Sequence, residues 1–90
     1  MPARSPDHTA FGEAIRRIRE ERDITQTKLA TLTKLDRSYM SGIERGERNP
    51  SLTNILLIAR ALDVPASVIF TRAEAFSSAT RKTPPTETSS

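Results

Sequence analysis

The stretch from Thr25 to Ser51, TQTKLATLTKLDRSYMSGIERGERNPS, decides the fold. It contains two short segments whose apolar residues recur every three or four positions, as on one face of an α-helix. Thr25 and Asp36 stand directly before these segments, and each offers a side-chain oxygen to the free N–H groups of a first helical turn. The pattern therefore predicts two helices, about 26–33 and 37–44, joined by a break of a few residues.

The second of these helices has a polar outer face. Met40 and Ile43 are expected to point inward, which leaves the opposite side to Arg37, Ser38, Ser41 and Gly42. A helix presented in this way by a supporting helix fits the DNA major groove, which is about 12 Å wide. Short side chains permit close approach, and an arginine supplies a forked donor for guanine. A generic helical hairpin with a polar surface explains the same pattern, so both interpretations remain open.

Three further helices are expected around this pair. The first covers about 9–22, with Thr9 as its N-cap, the fourth covers about 52–62 after Ser51, and the fifth begins near residue 66. The apolar stripe of the fourth helix comprises Leu52, Ile55, Ile58, Ala59 and Leu62. Because no segment alternates as a strand would, the predicted fold class is all-α with five short helices.

The two ends of the chain differ in composition from the middle. Residues 77–90 are mostly Ser, Thr and Pro, with Ala79 as the one apolar residue. Such a segment cannot bury enough surface to offset its ordering entropy, so we expect a disordered tail. The organisation predicted is a flexible arm over 1–8, one folded domain over 9–76 and the tail over 77–90.

Composition excludes several classes of protein. The 90 residues contain no cysteine and one histidine, which excludes disulfides, zinc fingers and a histidine-based metal cluster. The longest apolar run, Ile55–Ala59, is far shorter than the ~20 residues of a membrane span. We expect no secretory signal, because no apolar segment follows Arg4. No nucleophile, base and orienting group can be assembled, so we expect neither enzyme activity, cofactor, metal nor small-molecule ligand. The net charge of +3 is compatible with nucleic-acid binding but is weak support by itself.

The motifs T-Q-x-x-L-A (from Thr25) and L-D-R-S-Y-M-S-G-I-E-R-G-E-R-N-P-S (from Leu35) resemble a known family. They are similar to the helix-turn-helix domain of phage Cro and repressor proteins, the XRE family. Within that family the similarity is strongest to controller proteins of restriction–modification systems. The resemblance covers about residues 9–71 and implies a five-helix, lambda-repressor-like domain whose helices two and three form the helix-turn-helix.

The resemblance also implies a set of DNA-contacting residues. Gln26 matches a phosphate-contacting position, whereas Tyr39 either approaches the DNA backbone or packs on the domain. Lys34 occupies a turn position where relatives often have glycine, so we expect a positive φ there and a charge near the DNA. The full predicted set is Gln26, Lys34, Arg37, Ser38, Tyr39, Ser41, Gly42, Arg45, Arg48 and Asn49. A structural ion pair between Arg19 and Glu44 is implied as well.

Apolar residues outside the core stripe predict a self-association surface. On a helical wheel Leu57 lies far from the centre of the fourth helix's stripe, and Leu56 lies on its border. The resemblance sharpens this point, because relatives commonly carry charged residues at both positions. A pair of leucines beside an apolar fifth helix favours two-fold dimerisation. The predicted interface comprises Leu56, Leu57, Val68, Ile69 and Phe70.

The function implied is a sequence-specific transcriptional regulator that binds a palindromic operator as a homodimer. Its partners would be double-stranded operator DNA, a second copy of the chain and, as a further candidate, RNA polymerase. Its place would be the cytoplasm of a bacterium or of a phage-infected cell, at the nucleoid. The alternative is an antitoxin that binds a toxin and autoregulates its operon.

Overall fold

Five helices build the part of the chain that the structure, a computed structural model, describes: residues 5–80, with side chains as far as Ser77. No strand occurs within those residues, so the all-α prediction is confirmed. In chain order the helices are α1 (Pro6–Glu21), α2 (Gln26–Thr33), α3 (Arg37–Glu44), α4 (Leu52–Leu62) and α5 (Ala66–Thr80).

The turn between α2 and α3 has the predicted caps. The Thr25 hydroxyl accepts a hydrogen bond from the Lys28 N–H at 3.0 Å, and the Asp36 carboxylate accepts one from the Tyr39 N–H at 3.2 Å. Between the two helices Lys34 adopts a left-handed conformation with φ of 61°. The predicted bounds of both helices, both N-caps and the positive φ at Lys34 are therefore confirmed.

The start of α1 differs from the prediction. The Ser5 hydroxyl, not that of Thr9, caps the helix by accepting from the Asp7 and His8 N–H groups at 3.1 and 3.4 Å. Pro6 follows as the first helical residue, where its fixed φ suits the helix and its missing N–H leaves no donor unpaired. Residues 6–8 are thus helical, and the prediction that they belong to a flexible arm is wrong.

The end of the domain also extends beyond the predicted boundary. α4 begins after Ser51, whose hydroxyl accepts from the Asn54 N–H at 3.1 Å, and it ends at Asp63, a residue with φ of 60°. α5 then continues to Thr80 rather than stopping at 76. The remainder of the predicted tail, 81–90, lies outside the described residues.

The core lies between α1 and the other helices. α1 packs along α5 and crosses α3, while α2 packs against both α3 and α4. At the crossing, a Cβ on Gly12 would overlap the carbonyl oxygens of Ile43 and Glu44, so only glycine permits this approach of the two backbones. The largest fully buried side chains are Ile15, Leu29, Met40, Ile43, Ile58, Leu62 and Ile69.

Two apolar residues lie elsewhere than the sequence predicts. Leu52, expected in the core stripe, is 69% exposed. It is the first residue of α4, and a helical side chain tilts toward the N-terminus, so it projects beyond the packed turns. Ile69, expected at a dimer interface, is 0% exposed within the single chain and is therefore a core residue.

No single described helix is long and apolar enough to cross a membrane. α4 and the first part of α5 would pass together on length and composition alone, but they meet at an angle of 101°.

Candidate nucleic-acid interface

The outer face of α3 is polar and open to solvent. Arg37, Ser38 and Arg45 are exposed and Ser41 is half-buried, whereas Met40 and Ile43 on the opposite side are buried. The division into an inward apolar side and an outward polar side agrees with the sequence prediction. α3 is therefore an eight-residue helix that presents short hydroxyl side chains between arginines at its two ends.

The C-terminal end of α3 is attached to α1 by a nearly buried ion pair. The Arg19 guanidinium donates to both Glu44 oxygens, with Nε–Oε2 and Nη2–Oε1 distances of 2.8 and 3.0 Å. A third bond, at 2.9 Å, joins Arg19 Nη1 to the carbonyl of Ile24. The side chains are 11% and 3% exposed, so both charges are paired away from water. The predicted pair between Arg19 and Glu44 is confirmed.

Gln26 connects the two ends of α3. Its Nε2 donates to Glu44 Oε1 at 3.1 Å, and its Oε1 accepts from Arg37 Nη1 at 3.4 Å. A carboxylate can only accept, so Glu44 orients the Gln26 amide and turns its carbonyl oxygen toward Arg37. The sequence predicts a phosphate contact for Gln26 but does not indicate this bridging role, because its partners lie 11 and 18 residues away.

Tyr39 packs on the domain, which is one of the two alternatives left open by the sequence. The ring is half-buried against the core, and its hydroxyl accepts a hydrogen bond from Asn54 Nδ2 at 3.2 Å. Asn54 belongs to α4, so this contact joins the second helix of the pair to the helix that follows. Tyr39 thus contributes to the orientation of α3 in the free protein.

The loop after α3 carries further cations. Arg45 donates to the Ser41 hydroxyl and, at 2.9 Å, to Glu47 Oε1. The hydrogen bond to Glu47 raises the pKa of the Arg45 guanidinium above its usual value. Arg48 and Asn49 are exposed on the same loop. Lys34, in the turn before α3, is exposed as well.

Gly42 is not the open gap in the outer face that the sequence suggests. It is buried, and a Cβ on it would lie 2.7 Å from Cγ of Arg48. The arginine side chain therefore covers the glycine, and the expectation of a bare, groove-facing Gly42 is wrong.

The residues predicted to form a dimer interface fall into different environments. Leu56 and Leu57 are half-buried, and Val68 is half-buried against the core. Phe70 is 43% exposed and packs on Phe11 with ring centroids 5.2 Å apart. Phe70 also lines an open groove of about 570 Å³ between the start of α1, the loop at 49–50 and α5.

Comparison with known proteins identifies the fold family. The family profile described as "Helix-turn-helix" matches residues 15–69, which include α2, the turn and α3. The chain belongs to the helix-turn-helix family. This is the family that the sequence motifs resemble, and the five-helix architecture agrees with it.

Several relatives of this helix-turn-helix protein are named regulators. The immunity repressor of Bacillus phage phi105 is 45% identical over 58 residues, which are 64% of this chain but only 40% of that repressor. Control protein C.BamHI of Bacillus amyloliquefaciens is 49% identical over 55 residues, 60% of this chain and 68% of that protein. A solved structure of the restriction–modification controller protein C.Esp1396I, a tetramer on its natural 35 base-pair operator, is 36% identical with a TM-score of 0.74. That alignment covers 81% of this chain and 96% of the other. The relatives named here are therefore a repressor, a control protein and a controller protein that was solved on its operator.

Proposed function

We propose that this protein is a transcriptional regulator of the controller type, which binds a palindromic operator as a homodimer. The observation that carries the proposal is the outer face of α3, where Arg37, Ser38 and Arg45 are exposed while both ends of the helix are held by hydrogen bonds. Glu44 is paired with Arg19, and Gln26 connects Glu44 to Arg37. A recognition helix held in this way already has its geometry in the free protein, so less conformational entropy is lost when DNA binds.

The roles of the polar residues follow from their chemistry. Arg37, at the N-terminal end of α3, presents a forked donor suited to the O6 and N7 atoms of guanine. Ser38 and Ser41 offer hydroxyl groups that bond to either a donor or an acceptor on a base edge. Lys34 and Asn49 lie in the segments before and after α3, where contacts to phosphate set the register of the protein on the duplex.

A homodimer supplies the discrimination that one short helix lacks. One such helix reads only a few base pairs, whereas two copies spaced by one turn of DNA, about 34 Å, read two half-sites on one side of the duplex. The exposed apolar residues on α4 and α5 suit this association, because surface leucine and phenylalanine lose contact with water when a second copy covers them. The proposed interface keeps Leu56, Leu57, Val68 and Phe70 of the predicted set, adds the exposed Leu52, and leaves out Ile69 because it is a core residue.

The relatives support the regulator over the antitoxin. Those described above are named as a repressor and as control or controller proteins. In this role the protein acts on the nucleoid in the cytoplasm. RNA polymerase is a further partner wherever the operator adjoins a promoter, because the bound dimer then lies beside the polymerase.

The test is selection of bound sequences from a random pool of DNA duplexes. We expect enrichment of an inverted repeat whose half-sites are centred about 10 base pairs apart or a multiple of that spacing. The Arg37→Ala variant should lose one guanine from the enriched half-site. Arg72→Ala is the matched control, since Arg72 lies on α5 and pairs with Glu21 of α1. A pool that shows no enrichment, or an enriched site without symmetry, would contradict the proposal.

A further inference from the structure

Arg48 lies across the backbone of α3 at Gly42. A Cβ built on this glycine would lie 2.7 Å from Cγ, 3.6 Å from Cδ and 3.5 Å from Nε of Arg48. The distance to Cγ is shorter than any ordinary carbon–carbon contact. The stem of Arg48 therefore occupies the space that a side chain at residue 42 would need.

The loop backbone brings Arg48 to this position. The chain reverses at Gly46, which has φ of 78°, a conformation that glycine adopts without strain. The Glu47 N–H then donates to the Gly42 carbonyl at 2.8 Å, which closes the loop back onto α3. Because Arg48 is the next residue, it starts beside Gly42, and its stem continues over the bare backbone.

The guanidinium of Arg48 differs from those of the neighbouring arginines in its partners. Arg37 donates to Gln26, Arg45 donates to Glu47, and Arg19 is paired with Glu44. By contrast, no carboxylate within the part of the chain that the structure describes lies at ion-pairing distance from Arg48. The stem of Arg48 lies against the helix at Gly42, and an apolar stem packed in this way can position a charged group at the surface.

The position of Gly42 on α3 shows where that charge is presented. At 100° per residue, Gly42 lies 40° beyond the exposed Ser38, at the edge of the outer face and on the side opposite Arg37. Arg48 thus places a cation at the edge of α3 where no residue of the helix itself supplies one. A cation on the margin of a reading helix faces the sugar–phosphate wall of the groove rather than the base edges.

We propose that Gly42 is a positioning residue for DNA binding: its missing side chain allows Arg48 to lie on α3 and to contact a DNA phosphate beside the bases that Ser38 faces. This role rests on the proposed function. It differs from the simpler role of a glycine that admits the DNA directly, because Gly42 then acts through Arg48. A methyl group at residue 42 would lift the Arg48 stem from the helix and release its guanidinium into solvent.

The test is a double-mutant cycle with Gly42→Ala, Arg48→Ala and the double variant, measured on the selected operator across a series of salt concentrations. Gly42→Ala should keep or raise the melting temperature, because alanine favours a helix more than glycine does and the added methyl meets a flexible side chain. Its operator affinity should fall about a hundredfold, or tenfold for each protomer of the dimer, at the lower end for a lost hydrogen bond between charged groups. The slope of log K against log salt should become less steep by about 1.8, because each protomer of the bound dimer loses one phosphate contact.

The remaining variants separate the positioning role from direct contact. The double variant should bind no more weakly than Arg48→Ala alone, since the glycine has nothing left to position. Arg48→Lys, which keeps a long stem and the charge, should retain the salt slope. Without DNA, the heteronuclear NOE of the Arg48 Nε–H group should be lower in Gly42→Ala than in the unaltered protein.

Three outcomes would overturn the proposal. In the first, Gly42→Ala binds with unchanged affinity and salt slope. In the second, Gly42→Ala weakens binding equally with and without the Arg48→Ala change, so that the glycine acts by admitting the DNA. In the third, the Nε–H order is the same in Gly42→Ala as in the unaltered protein. An unaltered protein that shows this order but does not distinguish operator from random DNA would overturn the proposed function instead, because a phosphate contact does not depend on the base sequence.

Discussion

Glu44→Gln should destabilise the domain far more than its small chemical change suggests. The substitution keeps the size of the side chain but leaves the Arg19 guanidinium, which is 11% exposed, without its counter-charge. Removing one partner of a buried ion pair costs about 3–5 kcal/mol. We expect the lower end, about 3 kcal/mol, because Arg19 keeps its bond to the Ile24 carbonyl and an amide oxygen can still accept one bond. For a domain of this size, that loss lowers the melting temperature by roughly 12–24 °C.

The assay is thermal and urea unfolding followed by circular dichroism, with two companion variants. Glu20→Gln makes the same chemical change at a carboxylate that pairs with Arg16 but is 53% exposed, and it should cost less than about 1 kcal/mol. The double variant Arg19→Met with Glu44→Met replaces the pair by apolar side chains and strands no charge. It should therefore be more stable than Glu44→Gln alone. Equal losses for Glu44→Gln and Glu20→Gln would refute the reasoning, because burial would then make no difference.

Three further substitutions test the interface residues and the turn. Arg37→Ala should weaken the free energy of binding to the operator by about 1–3 kcal/mol and that to random DNA much less, as measured by gel-shift titrations at one salt concentration. Equal losses on the two DNAs would show that Arg37 contacts only phosphate. Leu57→Glu places a carboxylate in the apolar face of both copies, so the protein should sediment as a monomer at micromolar concentration, and an intact dimer would remove Leu57 from the interface. Lys34→Val should lower the free energy of unfolding by roughly 1–2 kcal/mol whereas Lys34→Gly should not, because a β-branched residue is strained at φ of 61°. A valine variant as stable as the unaltered protein would contradict the left-handed turn.

Much of the candidate interface is predictable from neighbouring residues. Asp36 precedes an apolar period, and the outward positions of α3 follow from that period alone. The pairing of Arg19 with Glu44 comes instead from the family resemblance, since the two residues lie 25 positions apart. The first residue of α1 was also predictable from the sequence, because serine followed by proline and aspartate is a known sign of a helix N-terminus.

The errors concern residues whose surroundings depend on distant parts of the chain. Leu52 and Ile69 are both apolar helical residues, yet one is 69% exposed and the other 0% exposed. A helical wheel shows on which side of a helix a residue lies, but not whether a neighbouring helix extends far enough to cover it. Gly42 belongs to the same group, because only the folded loop places Arg48 over it.

By itself the sequence determined the number of helices, the helix-turn-helix pair and the polar face of α3. Helix caps and hydrophobic periodicity depend on residues within about four positions of each other, so they can be recognised in the sequence alone. Only the tertiary structure decided that Glu44 orients the Gln26 amide toward Arg37 and that the Arg48 stem lies against α3 at Gly42. Those arrangements arise where separate helices and a closed loop meet, and hydrogen bonds of about 3 Å form only once packing has brought their partners together.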